Sequence, residues 1–361
     1  MLDAMLPEPE PLPSFSDPAG VIAEAAASLA PPSRISVADA AEKWRRLNNP
    51  GGGYSGPWKN AAVPYLQEPM AAITDRAVSA TVFAGPAQCA KTSALVLNPI
   101  LHAAIADQAA MLVVHMTQAA ARDWSTREFD KMVRDTPGLR ARLTESNVFD
   151  KSFGAMKVAL AWPTPTTLAG RPIPRVLLTD YDRFPDDIGG EGSAFDLSRG
   201  RVRTFGSRGY VVCESSPSRQ LEDAAWKPKT AHEAPPVGGI LSLYNRGDRR
   251  RWHWPCPHCG HYFEASRQNM TWPDDPGMDA YDVGRAAACV CPGNGCVIGA
   301  EHRDAMNARG RWVPDGCSVG DDGELIGAPV ASDIRSYWLQ GPAAAMTTWA
   351  AIVTKLVAAE R

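Results

Sequence analysis

The segment from Arg76 to Leu97 constrains the fold more than any other part of the chain. An apolar run ends at Val82 and Phe83, and a short glycine-containing loop and then a helix-forming stretch follow it. This order of strand, tight loop and helix aims several backbone N–H groups and the positive end of the helix dipole at one point. The segment therefore predicts a loop that binds phosphate.

The loop reads G-x-x-x-x-A-K-T, which is a phosphate-binding loop at every position except the second glycine. The eight residues predicted to bind nucleotide are Gly85, Pro86, Ala87, Gln88, Cys89, Ala90, Lys91 and Thr92. In such a loop Lys91, a predicted catalytic residue, reaches the β and γ phosphates, and Thr92 offers its hydroxyl to Mg2+. We expect Ala90 to be tolerated, because a Cβ is acceptable at negative φ and costly at positive φ. The alternative is an ordinary strand-to-helix connection with a surface lysine.

Four apolar runs, at residues 111–115, 158–161, 176–180 and 210–213, have the length and composition of buried strands. Stretches with helical character lie between several of them. Strands that alternate with helices indicate a parallel sheet with crossover connections. The sequence therefore predicts an α/β fold with a mainly parallel sheet and flanking helices.

Two helices are predicted with defined ends. Ser36 is a candidate N-cap for a helix through Arg46. A second helix should run from Lys91 towards Asp107, with a kink or a break at Pro99.

The run from Val176 to Thr179 ends in Asp180, and Asp182 follows two residues later. In a phosphate-loop fold, a strand that ends in aspartate brings its carboxylate to the Mg2+. A glutamate that orients the attacking water usually comes next, but Tyr181 occupies that place. Two registers stay open: Asp180 binds the metal and Asp182 or a more distant carboxylate is the base, or Thr179-Asp180 stands where Asp-Glu would be. Asp180 and Asp182 are thus predicted catalytic residues, and the alternative is a strand end capped by aspartate.

The strand at residues 210–213 is followed by Glu214, Ser215, Ser216 and Pro217. Small hydroxyl residues at the carboxyl end of a strand can sense the γ phosphate. They also form simple turns.

Two pairs of cysteines have spacings suited to a metal. Cys256 and Cys259 form a C-x-x-C-G turn, and Cys291 and Cys296 form a C-x4-C pair after a gap of 31 residues. Two such pairs predict a closed four-thiolate Zn2+ site of structural type, and Cys289 is a rival ligand. The alternatives are reduced surface turns or a ribbon that has lost its metal.

A basic and aromatic cluster precedes the first cysteine pair. It comprises Arg246, Arg249, Arg250, Arg251, Trp252 and Trp254. Such a cluster suits phosphate contacts and stacking on DNA, so Arg249, Arg250 and Arg251 are predicted DNA contacts. The alternative is a solvated charge run beside core tryptophans.

The composition sets broad bounds. The chain has 361 residues, of which 45% are hydrophobic and 21% charged, so it can bury a sizeable core. No apolar run approaches the length of a membrane span. The net charge of −3 gives no global attraction to nucleic acid, so any DNA binding requires local basic clusters.

Over about residues 36 to 355, the order of segments resembles the large terminase subunit of lambda-type tailed phages. The segments are GPAQCAKT, MLVVHMTQ, VLLTDYDRFPDDIGGEGSAFD, GYVVCESSP and CPHCG. The resemblance implies a P-loop NTPase fold of the ASCE, RecA-like type, and an ATP-driven motor that pumps viral DNA into a procapsid. It implies that Gly85, Lys91 and Thr92 hold ATP phosphates and Mg2+, and that Asp180 is the acidic motif. Ser215-Ser216 would couple hydrolysis to movement.

The resemblance also implies partners: double-stranded viral DNA, a small terminase subunit, the procapsid portal and further copies of the chain, in the host bacterial cytoplasm. We expect a flexible arm at 1–35, the ATPase domain at 36–245, a zinc-ribbon-like insertion at 246–312 and the end of the ATPase domain at 313–361. The family's nuclease domain is not expected in this chain, so we expect ATPase but no endonuclease activity.

Two rival functions remain, a superfamily 2-like helicase or translocase and a non-hydrolysing DNA-binding or assembly module. Phosphoryl transfer also calls for a charge-stabilising arginine, for which Arg122, Arg127 and Arg335 are candidates.

Overall fold

An 11-stranded sheet runs through the computed structural model. The structure describes residues 18–20, 22, 34–49, 51, 53–221, 223, 225–320 and 322–361. Residues Ile35–Arg361 form one compact unit, and Met1–Arg34 form another, in which residues 18–20 and 22 are helical. The predicted arm at 1–35 lies almost wholly outside the described residues.

The strands are numbered in chain order. They are β1 (Arg46–Leu47), β2 (Gly56–Pro57), β3 (Ala80–Ala84), β4 (Met111–Val114), β5 (Leu143–Ser146), β6 (Asp150–Phe153), β7 (Met156–Ala161), β8 (Arg175–Thr179), β9 (Tyr210–Ser215), β10 (Arg250–Pro255), β11 (Tyr262–Glu264), β12 (Met270–Thr271), β13 (Ala288–Val290), β14 (Val297–Ile298), β15 (Arg311–Val313), β16 (Cys317–Val319), β17 (Leu325–Gly327) and β18 (Ile334–Trp338).

The α-helices are numbered in the same way. They are α1 (Val37–Trp44), α2 (Gln67–Ala72), α3 (Asn98–Ile105), α4 (Gln118–Trp124), α5 (Asp130–Asp135), α6 (Pro137–Arg140), α7 (Pro165–Leu168), α8 (Ala194–Val202), α9 (Ile240–Asn245), α10 (Ala280–Arg285), α11 (Arg303–Ala308) and α12 (Trp349–Glu360). Ser36 caps α1 as predicted, since its side chain accepts a hydrogen bond from the Asp39 N–H. No helix among the described residues has the length and apolar character needed to cross a membrane.

The main sheet has the order β11-β10-β18-β3-β9-β8-β4-β7-β6-β5, and β15 pairs with β10. Seven neighbouring strands, from β10 to β7, pair in parallel, and β5, β6, β11 and β15 add antiparallel edges. The fold is therefore mixed α/β with a large, mostly parallel central sheet, as the sequence predicts. Strand β9 lies between the loop strand β3 and the acidic strand β8.

The central strands are largely apolar, as expected of a sheet that is covered on both faces. In β3, Phe83 belongs to one buried core, whereas Val82 and Ala84 belong to the core on the opposite face. In β8, Leu177 likewise belongs to the first core, and Val176 and Leu178 belong to the second. Parallel sheets covered on both faces read as continuous apolar runs, which is why these strands can be recognised in the sequence.

Pro99 does not interrupt the helix that follows the loop. The chain is helical from residue 91 to 105, and the segment Ser93–Leu97 is a π-helical turn in which the Asn98 N–H donates to the Ser93 carbonyl. A proline in a helix loses one hydrogen bond and crowds the carbonyl four residues earlier. The wider π turn just before Pro99 relieves that crowding, so the helix continues through α3.

Both ends of the predicted insertion at 246–312 belong to the main sheet. Strand β10 pairs with β18, and β15 pairs with β10. Between them, β12, β13 and β14 form a separate three-stranded sheet that carries part of the cysteine cluster. Helix α12 packs on α10 in this region.

Candidate active site

The loop after β3 is joined to the neighbouring strand. The Gly85 N–H donates to the Ser215 carbonyl over 3.0 Å, which continues the pairing of β3 with β9. The next backbone N–H groups, those of Ala87, Gln88 and Ala90, have no acceptor among the described residues. Free amides in a loop that leads into a helix form a concave site for an anion.

The backbone of Ala90 has a φ of +65°, in the left-handed region. The condition under which we expected alanine to be tolerated, a negative φ, is therefore not met. A left-handed conformation costs an L-residue roughly 1–2 kcal/mol, whereas glycine adopts it freely. The alanine at this position thus stores strain in the loop.

A fully buried carboxylate lies directly behind the loop. Glu214, at the end of β9, has no exposed surface. Its Oε1 accepts hydrogen bonds from the hydroxyls of Thr92 over 2.9 Å and Thr179 over 2.5 Å. Its Oε2 lies 3.9 Å from Lys91 Nζ and has no hydrogen-bond partner. Burial raises the pKa of Glu214, and the positive charge of Lys91 opposes that rise.

Asp180 lines a cavity beside this cluster. The cavity has a volume of about 290 Å³ and is lined by Thr92, Ser93, Leu97, His115, Trp124, Glu128, Thr179 and Asp180. The half-buried Asp180 has a φ of +57° and directly follows β8. Its negative charge is close enough to raise the pKa of Glu214 further. Asp180 therefore faces open space next to the loop threonine.

Asp182, unlike Asp180, does not face the cavity but forms hydrogen bonds within the fold. It is buried, and its carboxylate accepts the backbone N–H groups of Ser218 and Ile240, each over 2.6 Å. Ile240 is the first residue of α9, so this carboxylate caps that helix. These bonds support a structural role for Asp182 and argue against the catalytic role predicted for it.

Ser215 connects the loop with the acidic strand. Its carbonyl accepts from Gly85, and its Oγ accepts the Asp182 N–H over 3.0 Å. The same hydroxyl donates to the Ser216 carbonyl over 3.3 Å, and Ser216 is half-buried in the loop that follows. Ser215 therefore contacts both the loop and the chain that follows β8.

Sequence reasoning missed Glu214 and His115. Each is a polar residue at the carboxyl end of an otherwise apolar strand, and that position was the available signal. His115 is buried against Trp124 with ring centres 4.7 Å apart, its Nε2 lacks a partner, and burial lowers its pKa to about 4. The imidazole is thus neutral at pH 7.

The predicted DNA-contacting arginines all have carboxylate partners within the fold. Arg249 pairs with Asp315 over 2.7 Å, Arg250 pairs with Glu68 over 2.6 Å and with Asp248 over 2.7 Å, and Arg251 pairs with Glu264 over 3.3 Å. Arg251 is also buried 3.8 Å above the Trp338 ring. These contacts explain why a basic run forms strand β10, and they argue against the predicted role in binding DNA.

The candidate charge-stabilising arginines are dispersed. Arg335 pairs with the buried Asp248 over 3.0 Å. Arg127 pairs with Asp123 on an exposed helix surface, and Arg122 lies over the Phe149 ring.

The cysteines form two matching turns. In the first, Gly260 N–H donates to the Cys256 carbonyl, and in the second, Gly295 N–H donates to the Cys291 carbonyl. Both glycines have positive φ, +80° and +66°, which closes each turn tightly. By this correspondence Asn294 occupies the place of Cys259, which explains the unequal C-x-x-C and C-x4-C spacings.

Three sulfur atoms, those of Cys256, Cys259 and Cys291, lie within 4.8 Å of one another. The sulfur atoms of Cys259 and Cys291 are 3.8 Å apart. A hydrogen bond from the Asn294 side chain lowers the pKa of the Cys259 thiol to about 6. The Cys296 thiol is not in the group of three but interacts with those of Cys256 and Cys259. The rival ligand Cys289 is also outside this group, and burial raises its pKa to about 12.

Comparison with known proteins places this arrangement in a family. The model of the phage terminase large subunit gpA ATPase domain matches residues 52–312. No curated protein matches the chain.

Solved structures that match part of the chain include two phage large terminases. The HK97 bacteriophage large terminase is 15% identical, with a TM-score of 0.41, and the match covers 54% of this chain and 40% of that one. The large terminase ATPase domain of Thermus phage P74-26 is 11% identical, with a TM-score of 0.31, and the match covers 44% of this chain and 70% of that one. The matched region thus spans less than half of the HK97 protein. Since the family model matches well over half of the chain, this protein belongs to the family of phage terminase large subunit gpA ATPase domains.

Proposed function

We propose that the protein hydrolyses ATP as the motor subunit of a phage terminase that packages viral DNA. The observation that carries this proposal is the meeting of three strand ends at one place. Lys91 and Thr92 follow β3, Asp180 follows β8, and Ser215 ends the intervening strand β9. This meeting of strand ends suits the P-loop NTPase fold that the resemblance implies. Family membership favours the terminase over the helicase and the non-hydrolysing alternatives.

The donor set suits Mg2+. The residues around the predicted Mg2+ position, at the Thr92 hydroxyl, offer only oxygen atoms from the nearby carboxylates, and oxygen is the ligand that Mg2+ prefers. One of those oxygens, Glu214 Oε2, is buried and has no hydrogen-bond partner, which an added cation would remedy. Mg2+, when bound with ATP, neutralises charge on the phosphates.

The residues divide the work of phosphoryl transfer. The free amides of the loop hold phosphate oxygens, and Lys91 neutralises charge on the transferred phosphoryl group. The carboxylate of Asp180 faces the cavity, where it can orient a water molecule for attack. A second cavity of about 290 Å³, lined partly by Arg45, Trp58 and the loop residue Gln88, offers space for the nucleoside.

The cysteine cluster is proposed to hold a structural Zn2+ through Cys256, Cys259 and Cys291, with Cys296 as the fourth ligand. A tetrahedral site with Zn–S bonds of about 2.3 Å separates its sulfur atoms by about 3.8 Å. The distance of 3.8 Å between Cys259 and Cys291 fits that requirement. A closed four-thiolate site has no open position, so the metal would stabilise the fold and take no part in hydrolysis.

Double-stranded viral DNA, a small terminase subunit and the procapsid portal are the proposed partners, and they follow from family membership. Ser215 and Ser216 are proposed to couple hydrolysis to movement. Ser215 supports this role because it contacts both Gly85 of the loop and Asp182, two residues after Asp180.

ATP turnover by the purified chain tests the proposal. Lys91→Ala should lower kcat by about 100-fold or more, because it removes the charge that faces the phosphoryl group. Lys157→Ala is the matched control, since Lys157 is an exposed lysine that pairs with Asp150 on β6. Equal turnover by the wild type and Lys91→Ala would refute the motor function.

A further inference from the structure

The geometry points to Glu214 as the carboxylate that binds Mg2+ in the nucleotide site, a role that the sequence analysis gave to Asp180. This inference rests on the proposed function and concerns the same site. It makes Glu214 a metal-binding residue and leaves Asp180 as the residue that faces the water in the cavity.

The contacts of Glu214 carry the first step of the argument. Thr92, the predicted Mg2+ ligand of the loop, donates its hydroxyl hydrogen bond to Glu214 Oε1 over 2.9 Å. Lys91 Nζ, the predicted phosphate contact, lies 3.9 Å from Glu214 Oε2. Glu214 is thus in contact with both side chains of the loop that are predicted to act on the nucleotide.

The strand order explains how a residue of β9 reaches this place. Glu214 is paired with Thr179 of β8 on one side and with Phe83 of β3 on the other. Paired residues of adjacent parallel strands project to the same face, and adjacent strands are about 4.8 Å apart. A glutamate side chain is one methylene longer than aspartate, so it can cover part of that distance towards the loop.

Thr179 stands where a metal-binding aspartate would stand if Thr179-Asp180 replaces Asp-Glu. Its side chain is buried and donates to Glu214 Oε1 over 2.5 Å. The Thr179 hydroxyl therefore contacts Glu214, the carboxylate that we infer to replace an aspartate at position 179. The structure favours this second register, in which the acid has moved from β8 to β9.

The weak compensation of Glu214 Oε2 supplies an independent observation, because its charged neighbour, Lys91 Nζ, lies at the long distance of 3.9 Å. Glu214 is fully buried, and its Oε2 has no hydrogen-bond partner among the described residues. Burying a carboxylate oxygen without a partner is costly, and such groups are usually paired or bind a metal. Thr92 contacts the other oxygen, Oε1, and a divalent cation bound by Oε2 would supply the missing partner.

The test measures the Mg2+ dependence of nucleotide binding, with a fluorescent non-hydrolysable ATP analogue as the probe. Glu214→Gln should raise the Mg2+ concentration at half-saturation by about 10- to 100-fold, the usual effect of losing a residue that supports a metal. Binding of the analogue without Mg2+ should be unchanged or tighter, because a negative charge near the phosphates is removed.

Asp180→Asn is the matched control. It should change the Mg2+ half-saturation by about threefold or less while abolishing turnover, since its carboxylate serves the water and not the cation. The opposite pattern, with the Mg2+ requirement raised by Asp180→Asn and unchanged in Glu214→Gln, would overturn the inference.

A rescue variant tests whether a carboxylate on β8 can replace that of Glu214 on β9. Adding Thr179→Asp to Glu214→Gln returns the carboxylate to β8 and should restore most of the Mg2+ dependence. A double variant as weak as Glu214→Gln would show that the two positions are not interchangeable and would overturn the exchange of roles. Thermal unfolding of each variant establishes that it is folded. If Glu214→Gln does not fold, Glu214→Asp replaces it, because this variant withdraws the carboxylate by one methylene. It should raise the Mg2+ concentration at half-saturation by a smaller factor, and a wild-type value would overturn the inference.

Failure of this inference is distinguishable from failure of the proposed function. If the wild type and Lys91→Ala bind the analogue equally, the nucleotide site itself is wrong. If the wild type binds it in a Mg2+-dependent way and Glu214→Gln matches the wild type, only the role of Glu214 is wrong.

Discussion

Two carboxylates of the main sheet region, Asp248 and Glu214, have fully buried side chains but very different surroundings. Both oxygens of Asp248 are paired: Oδ2 accepts from Arg250 over 2.7 Å and Arg335 over 3.0 Å, and Oδ1 accepts the Ser336 N–H over 3.0 Å. Glu214 has one oxygen paired with two hydroxyls and one oxygen with no hydrogen bond.

The difference separates a structural acid from a functional one. A buried charge whose oxygens are all paired within the chain holds its neighbours in place and has nothing left for a ligand. A buried charge with a free oxygen beside a lysine and a threonine is less well compensated within the protein. Equal burial therefore does not imply an equal role, and the pairing of each oxygen distinguishes the two.

The largest effect is expected for substitution of Asp248, the structural acid. Asp248→Asn should lower the free energy of unfolding by about 3–5 kcal/mol, because Arg250 and Arg335 are left buried or half-buried beside an uncharged amide. Urea denaturation measures the change.

Glu214→Gln provides the counterpart in the same assay. Its effect without nucleotide should stay within about 1 kcal/mol, since the removed burial cost offsets the lost attraction to Lys91. Similar destabilisation by the two substitutions would remove the distinction between the two acids.

The comparison extends to the cysteine cluster, which is the proposed zinc site. Cys256→Ser should abolish stoichiometric zinc and lower the free energy of unfolding by roughly 2–4 kcal/mol, because loss of a structural metal is among the most damaging changes. Metal analysis and urea denaturation measure the two effects.

Cys317→Ser is the control for that experiment, because Cys317 is half-buried and lies outside the group of three sulfurs. It should retain the zinc. A zinc content that survives Cys256→Ser would show that the cluster is not a metal site.

The smallest expected effect concerns strain beside the functional acid. Ala90→Gly should raise the free energy of unfolding by up to about 1 kcal/mol, because glycine adopts a φ of +65° without cost. Thermal or urea denaturation detects this change. Ala87→Gly in the same exposed loop segment should instead destabilise slightly, since glycine only adds freedom to the unfolded chain there. Stabilisation by both substitutions would mean that φ at Ala90 is not the cause.

Much of the fold could be predicted from the sequence. The runs at 111–115, 158–161, 176–180 and 210–213 correspond to β4, β7, β8 and β9, since strands buried on both faces are continuously apolar. The strand β10 could not be recognised, because its arginines look solvated until their partners are known. Those partners, such as Glu264 for Arg251, depend on which strands lie side by side.

The sequence by itself determined the local motifs: a predicted phosphate loop ending in Lys91 and Thr92, an acidic strand end at Asp180 and two cysteine turns. Each of these is a contiguous motif, so neighbouring residues suffice to recognise it. Only the tertiary structure decided which acid meets the loop. Because β9 lies between β3 and β8, Glu214 contacts Thr92 across 122 residues of chain, and no local pattern could have indicated that.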